Sequence, residues 1–169
     1  MATTYHFYKQ GYAIPYDAFG HVVLKKRLDV PAIIASGAAG YSPLAVDGVR
    51  TALADTGFGI ADILELFRVP AGFQVLGGGV NVVTVGTDTI DMGVTSATQT
   101  QQGAGANRFL DDAPITATNV LMFDAADGDA WTTLVQDVYI TNGTIDVLFN
   151  TSAEAALIAD FWILGCKVF

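Results

Sequence analysis

From residue 60 onward, short apolar runs alternate with turns rich in glycine, proline and aspartate. This is the pattern of β-strands joined by tight connections, and no run has the length and period of a long helix. Regularly spaced short strands predict an all-β fold, either a two-sheet sandwich or a barrel. The predicted strands are Ile63–Val69, Phe73–Leu76, Val80–Val85, Thr89–Val94, Asn119–Phe123, Trp131–Ile140, Thr144–Phe149 and Leu157–Phe169.

Three stretches between these strands predict connections. Gly77-Gly78-Gly79 separates two apolar runs, so we interpret it as a β-turn. Residues 95–118 are rich in polar and small side chains and predict a long loop. Asn142-Gly143 favours a type I′ turn, because both of its positions require a positive φ. That turn predicts a hairpin in which Ile140 faces Ile145.

The final apolar run, Leu157–Phe169, is hydrophobic on both of its alternating faces. Phe161 and Ile163 lie on one face of the predicted strand, whereas Trp162 and Leu164 lie on the other. Such a strand is either buried on both sides or placed at a subunit interface. Two-sided burial is the more common of these arrangements.

Residues 1–59 differ from the rest of the chain, because their many aromatic side chains follow neither a helical nor an alternating period. Residues 35–48 are small and turn-forming, as in a linker. We therefore predict an N-terminal arm and linker over residues 1–59 and a β-sandwich domain over residues 60–169. The alternative is that the first part adds two strands to the same domain, with Val22-Val23-Leu24 as the best candidate.

The charge is also unevenly distributed along the chain. The chain carries a net charge of −9, yet residues 1–28 carry a net +3 and the remainder −12. A surface that binds phosphates needs clustered Lys and Arg, so we expect no direct contact with nucleic acid. The apolar runs are shorter than the roughly 20 residues of a membrane-spanning helix, so we expect no membrane partner either.

Candidate catalytic chemistry is sparse. His6 and His21 are the only histidines, and neither has partners at metal-ligand spacing. The single cysteine, Cys166, lies in an apolar run and cannot form a disulfide framework within the chain. No nucleophile motif or phosphate-binding glycine loop is present. We therefore predict a protein that is not an enzyme and that uses no metal or other cofactor.

Two segments carry a family resemblance. Residues 64–93 read LELFRVPAGFQVLGGGVNVVTVGTDTIDMG, and the region near the end reads GTIDVLFNTSAEAALIADFWILGCKV. An NRFLDDA element lies between them. In the succession of its strands and turns, the stretch from Ile60 to Phe169 resembles the small structural proteins of tailed-bacteriophage virions. The resemblance covers about two thirds of the chain and includes no catalytic residue.

The resemblance implies a capsid decoration (cement) protein with a jelly-roll-like antiparallel β-sandwich of about eight strands and an extended N-terminal arm. Such a protein is made in the host cytoplasm and resides on the capsid surface of the virion. Its implied partners are the major capsid protein and further copies of itself, in a homotrimer. If the arm bridges neighbouring subunits, its aromatic and basic residues are the candidate contacts. They are Tyr5, Phe7, Tyr8, Tyr12, Tyr16, Phe19, Lys25, Lys26 and Arg27.

Other functions remain open at this point. A jelly-roll can be a carbohydrate-binding module, in which Trp131, Tyr139 and Trp162 could stack on sugar rings. A phage tail-tube or head–tail connector protein can also be small and rich in β-strands. A binding module is expected to be a monomer that responds to glycans, whereas a cement protein is expected to oligomerise and bind assembled shells.

Overall fold

The computed structural model of the chain describes residues 2–7, 20–101, 104–123 and 138–168. These residues form eleven strands and one helix. The elements are β1 (Thr4–His6), β2 (His21–Asp29), α1 (Val30–Ala38), β3 (Ala45–Val46), β4 (Val49–Arg50), β5 (Ile63–Val69), β6 (Phe73–Thr84), β7 (Thr89–Val94), β8 (Gly105–Pro114), β9 (Val120–Met122), β10 (Gly143–Phe149) and β11 (Ile158–Lys167).

The strands form two sheets. One sheet has seven strands in the order β4-β3-β1-β5-β10-β7-β8, and the other has four in the order β2-β11-β6-β9. Every strand pair is antiparallel except β1 and β5, which run parallel. The predicted jelly-roll-like antiparallel sandwich is therefore confirmed as an all-β, two-sheet sandwich. No helix in the described ranges is long and apolar enough to cross a membrane, since the one helix there, α1, has nine residues.

The core lies between the two sheets and is held by aromatic pairs. Phe58 stacks on Phe149 with ring centroids 5.0 Å apart, and Phe109 stacks on Phe123 at 5.2 Å. Tyr5 meets Phe58 edge-on at 5.3 Å. Burying such side chains removes large apolar surfaces from water, which is the main favourable contribution to folding.

The described part of residues 1–59 belongs to the sandwich. The strand β2 pairs with β11 along its whole length, and β1 pairs with β5. Leu28, Ile33 and Leu53 are buried in the shared core. The predicted arm and linker are therefore wrong for residues 2–7 and 20–59, and the alternative of additional strands is the observed arrangement. The remaining arm residues, 8–19, lie outside the described ranges.

Two segments that the sequence predicts as connections belong to strands instead. Gly77-Gly78-Gly79 lies inside the continuous strand β6 rather than in a turn. A Cβ atom on Gly78 would lie 2.5 Å from the Phe123 ring, so the missing side chain makes room for that ring in the core. Residues 95–118 contain the ten-residue strand β8 and are not one long loop.

The predicted hairpin at Asn142-Gly143 is also wrong. The strand β10 pairs with β5 on one side and with β7 on the other, so neither edge is available to the segment before the turn. Residues 138 and 139 instead form isolated bridges with Gln74 and Thr100. Most of the predicted strand Trp131–Ile140 lies outside the described residues.

Candidate assembly interface

The outer face of the four-stranded sheet is built from three rows of side chains that cross the strands. The register aligns Lys25 of β2 with Trp162 of β11, and aligns Trp162 with Gly79 of β6 and then Met122 of β9. Paired residues point to the same side of a sheet, so Trp162 lies at the centre of this row.

A parallel row lies on each side of this central row, and each of the two contains apolar side chains. On one side, Val23 pairs with Leu164. On the other side, Val120 pairs with Asn81, which pairs in turn with Asp160. We call the outer surface formed by Val23, Val120, Met122, Trp162 and Leu164 the apolar face.

The apolar face is open to solvent. Val120 is 59% exposed, Met122 52% and Val23 49%, while Trp162 and Leu164 are half-buried. A groove of about 510 Å³ runs along β2 and β11, and Trp162 and Leu164 line it. Contiguous apolar side chains exposed on a sheet are typical of interaction surfaces, because leaving them in water is costly.

Gly79 leaves room for the central tryptophan to approach the backbone of β6 closely. A Cβ atom on Gly79 would lie 3.2 Å from Nε1 of Trp162 and 2.5 Å from the carbonyl oxygen of Leu121. The indole therefore covers the backbone of β6 directly. Large rigid aromatic groups held in this way lose little conformational entropy on binding and are common anchors of interfaces.

Charged groups border the apolar face along β2. Lys25 and Arg27 point outward and are exposed. Arg27 donates two hydrogen bonds of 2.8 Å to Asp160 of β11. This pair raises the pKa of Arg27 and lowers the pKa of Asp160, in both cases chiefly through the hydrogen bonds. The pair is exposed and contributes little to stability, but it sets the charge pattern at the edge of the face.

Four of the residues predicted as contacts, Phe7, Lys25, Lys26 and Arg27, line one cavity of about 630 Å³, although the side chains of the three that lie in β2 leave it on different sides. Lys25 and Arg27 lie beside the apolar face, whereas Lys26 points to the opposite side of β2 and donates a hydrogen bond to the carbonyl oxygen of Phe7. The ammonium group of Lys26 also lies 4.5 Å from the centre of the Phe7 ring. Tyr5 packs inward against Phe58, and burial is the main cause of its raised pKa. Tyr5 is therefore partly buried and packs against the core.

Other predicted residues lie outside the described ranges or in different places. Tyr8, Tyr12, Tyr16, Phe19 and Trp131 are outside the described residues. Tyr139 is fully buried, and its hydroxyl donates a 2.8 Å hydrogen bond to the carbonyl oxygen of Thr144. It cannot stack on a sugar without unfolding the core around it.

The sequence contained a signal for the apolar face. Both alternating faces of the last strand were hydrophobic, and one interpretation was a subunit interface. The structure places Phe161 and Ile163 in the core, and Trp162 and Leu164 on the outer face. The contribution of Val120 and Met122 could not be predicted, because it depends on the pairing of β9 with β6.

No His, Cys, Asp and Glu side chains form a group of three or more suited to a metal ion in the described part of the chain.

Comparisons with known proteins define the class of fold. A chain in the capsid of Ralstonia phage GP4 has the same fold with a TM-score of 0.57 and 11% identity, over 94% of this chain and 91% of that chain. A chain of the cyanophage Pam1 capsid asymmetric unit is 14% identical over 94% of each chain, with a TM-score of 0.48. No protein-family description matches the sequence, and no curated protein is significantly similar. The fold is thus one found in a phage capsid chain.

Proposed function

We propose that this chain is a structural component of a phage virion, namely a capsid decoration (cement) protein that binds the outer surface of the head shell. The fold it shares with a capsid chain of Ralstonia phage GP4 supports a role in the capsid, since each chain covers nearly all of the other. The long spine helix of the common phage shell fold has no counterpart among the described residues, whose one helix is α1. This favours a decoration protein over the shell protein itself.

The observation that carries the proposal is the apolar face. Permanent interfaces are more apolar than ordinary surface, and one tryptophan at the centre of such a patch can supply much of the binding energy. Trp162 occupies that central position, between Lys25 and Met122. We therefore assign the apolar face to the contact with the major capsid protein.

The charged border adds specificity to this contact. Lys25 and Arg27 would meet carboxylates of the shell, which affects the rate and selectivity of association more than its strength. The residues predicted as arm contacts, Tyr8, Tyr12, Tyr16 and Phe19, are proposed to bind a neighbouring subunit. This second contact would link copies of the chain in a homotrimer on the shell.

Cosedimentation with phage head shells assembled without this protein tests the proposal. Trp162→Asp places a carboxylate at the centre of the apolar face, so shell affinity is expected to fall at least about 30-fold, as for the loss of an interface hot spot. The matched control is Val49→Asp, since Val49 is 68% exposed on β4 of the other sheet. Equal binding by both variants and the unaltered protein would contradict the proposal, as would binding to tail tubes alone.

A further inference from the structure

One edge of the four-stranded sheet is long and regular. The strand β2 has nine residues and lies at the end of the sheet, where β11 is its only neighbour among the described strands. The two strands pair from Asp29 and Ile158 to His21 and Cys166 without a shift in register. The other edge of β2, which we call the open edge, therefore presents a regular row of backbone groups on which another strand can form.

Hydrogen bonds at the two ends of this pairing show which backbone groups point to the open edge. The Val30 amide donates to the carbonyl oxygen of Leu157 at 3.0 Å, and the Lys167 amide donates to that of Gly20 at 2.9 Å. In an antiparallel pair, residues that exchange hydrogen bonds alternate with residues whose amides and carbonyls point away. The even-numbered residues of β2 therefore bond to β11, and the odd-numbered ones point to the open edge. These include Val23, Lys25 and Arg27.

The open edge is basic on the outer side of the sheet. The exposed side chains of Lys25 and Arg27 point outward there, and residues 1–28 together carry a net charge of +3. Residues that lie opposite each other on neighbouring strands place their side chains on the same face. An acidic residue of an added strand, opposite Lys25 or Arg27, would therefore form a cross-strand ion pair.

The open edge borders a mainly apolar groove. A cavity of about 630 Å³ is lined by Lys25, Lys26 and Arg27 and by no described residue of β11, so it lies on the side of β2 that faces away from β11. Asp29 also lines the cavity, but its carboxylate caps α1. An apolar side chain that an added strand directs inward would enter this groove. The opposite wall includes Phe7, Ile33, Ser36, Tyr41 and Pro43.

The other sheet edges of the described chain are poorly suited to pairing. The edge strands β4 and β9 have two and three residues. The edge strand β8 shifts register twice against β7, contains Asp112 at a positive φ, and ends at Pro114. Short and irregular edges of this kind resist strand addition. Pairing β2 with β2 of a second copy would bring the basic residues of both strands together, so the matching strand must come from a different protein.

We propose that the open edge of β2 binds an extended segment of another protein by antiparallel strand addition, and that this segment alternates acidic and apolar side chains. Its acidic residues lie opposite Lys25 and Arg27 and exchange backbone hydrogen bonds with them. The apolar residue between them enters the groove beside Phe7 and Ile33. In this mode of recognition, backbone bonds supply affinity and the alternate side chains supply specificity.

Fluorescence anisotropy with synthetic peptides tests the chemistry of the segment. The probe is a short fluorescein-labelled peptide of alternating valine and aspartate, with both ends blocked. It is expected to bind at least about tenfold more tightly than the same peptide with lysine in place of aspartate, because the cross-strand pairs change from attractive to repulsive. Lys25→Glu should remove this preference, and the control Arg50→Glu, at an exposed position of β4 in the other sheet, should keep it. Equal affinity for the two peptides would overturn the proposal.

N-methylated peptides separate strand addition from attraction between charges alone. Because the acidic residues form the bonded pairs, N-methylaspartate removes the donors to β2 and is expected to weaken binding at least about tenfold. N-methylvaline removes only donors that point away from β2, so binding should stay within about threefold. Equal effects of the two modifications would overturn strand addition, and loss with N-methylvaline alone would overturn the antiparallel direction.

Hydrogen exchange of single amides locates the bound peptide. In the free protein, the amides of Leu24 and Leu28 are expected to be protected by β11, whereas those of Lys25 and Arg27 exchange rapidly. The peptide should slow exchange at Lys25 and Arg27 at least about tenfold and leave Leu24 and Leu28 unchanged. Protection of Lys25 and Arg27 already in the free protein would overturn the proposal, since the chain or a second copy would then cover the edge. These tests use no shells, so their failure leaves the assignment of the apolar face unaffected.

Discussion

The two outer faces of the sandwich differ in which side chains they expose to water and which they bury. On the four-stranded sheet, Trp162 and Met122 remain partly in water, and the chain places no further layer over them within the described residues. On the seven-stranded sheet, polar and ionisable groups face outward, yet Asp146 of β10 is fully buried and accepts hydrogen bonds from the amide and hydroxyl of Thr95. One face exposes apolar side chains, and the other encloses a carboxyl group.

This difference indicates which face is available to a partner. Enclosing Asp146 costs desolvation energy, and the hydrogen bonds from Thr95 offset only part of it. That face is therefore completed within the chain. Among the described residues the apolar face has no such cover, and a covering layer would remove its exposed hydrophobic side chains from water.

The largest expected effect is on the free energy of unfolding, and it compares a core side chain with an outer side chain of the same strand, β11. Phe161 is fully buried in the core, whereas its neighbour Trp162 lies on the apolar face. Phe161→Ala should lower the free energy of unfolding by about 3–5 kcal/mol, through lost burial and the cavity it leaves. Trp162→Ala should lower it by less than about 1.5 kcal/mol, because the indole already contacts water. Urea denaturation measures both values, and equal losses would contradict the assignment of the two faces.

The enclosed carboxyl group predicts an intermediate effect of pH on global stability. Because the folded-state pKa of Asp146 is raised to about 6, the folded protein binds this proton more tightly than the unfolded chain does. The contribution of the group is therefore favourable at low pH and is lost as the pH rises from about 4 through 6. At pH 8, Asp146→Asn is expected to increase the free energy of unfolding by about 1–3 kcal/mol.

Denaturation of the unaltered protein and of Asp146→Asn at pH 4.5 and pH 8 checks this sign. The gain from the substitution should be largest at pH 8 and clearly smaller at pH 4.5, where Asp146 is protonated in the folded protein. Glu154 provides a matched comparison, since it is also fully buried but accepts backbone hydrogen bonds at both oxygens. Glu154→Gln should destabilise the protein at both pH values. A larger gain for Asp146→Asn at low pH would show that the carboxyl group is stabilising when ionised.

The strands that could be predicted were those whose local pattern agrees with their final position. Ile63–Val69 and Thr89–Val94 were predicted with the bounds that the structure shows, because turn residues stop the apolar runs at both ends. The strand β2 was predicted as part of an arm, since the aromatic side chains around it follow no regular period and its pairing partner lies about 130 residues or more away in sequence. Its alternation of exposed and covered positions is nevertheless regular.

The helix α1 was missed although it has local signals. Asp29 caps the helix by accepting a 2.9 Å hydrogen bond from the Ala32 amide, and a proline lies in the first turn. These are typical N-terminal signals. The small residues that follow suggested a linker instead. Burial of Val30 and Ile33 in the shared core explains why the segment is helical in the folded chain.

The candidate sites could be predicted only in part. The two apolar sides of the last strand indicated that Trp162 is either buried or at an interface, but the choice depends on Gly79 and on β9 across the sheet. The burial of Asp146 could not be predicted from its position in an apolar strand, because Thr95, which donates hydrogen bonds to it, lies 51 residues earlier in the chain. Contacts between distant segments determine both sites.

The smallest expected effect concerns the charged border of the apolar face. Arg27→Met keeps the length of the side chain and removes the exposed pair with Asp160, so the unfolding midpoint should change little. If the face binds shells through complementary charge, association should slow down at low salt and should be nearly unchanged at high salt, where exposed charges are screened. Stopped-flow binding to undecorated shells at two ionic strengths measures this. Equal slowing at both would show that Arg27 acts through packing, and no slowing at either would exclude it from the contact.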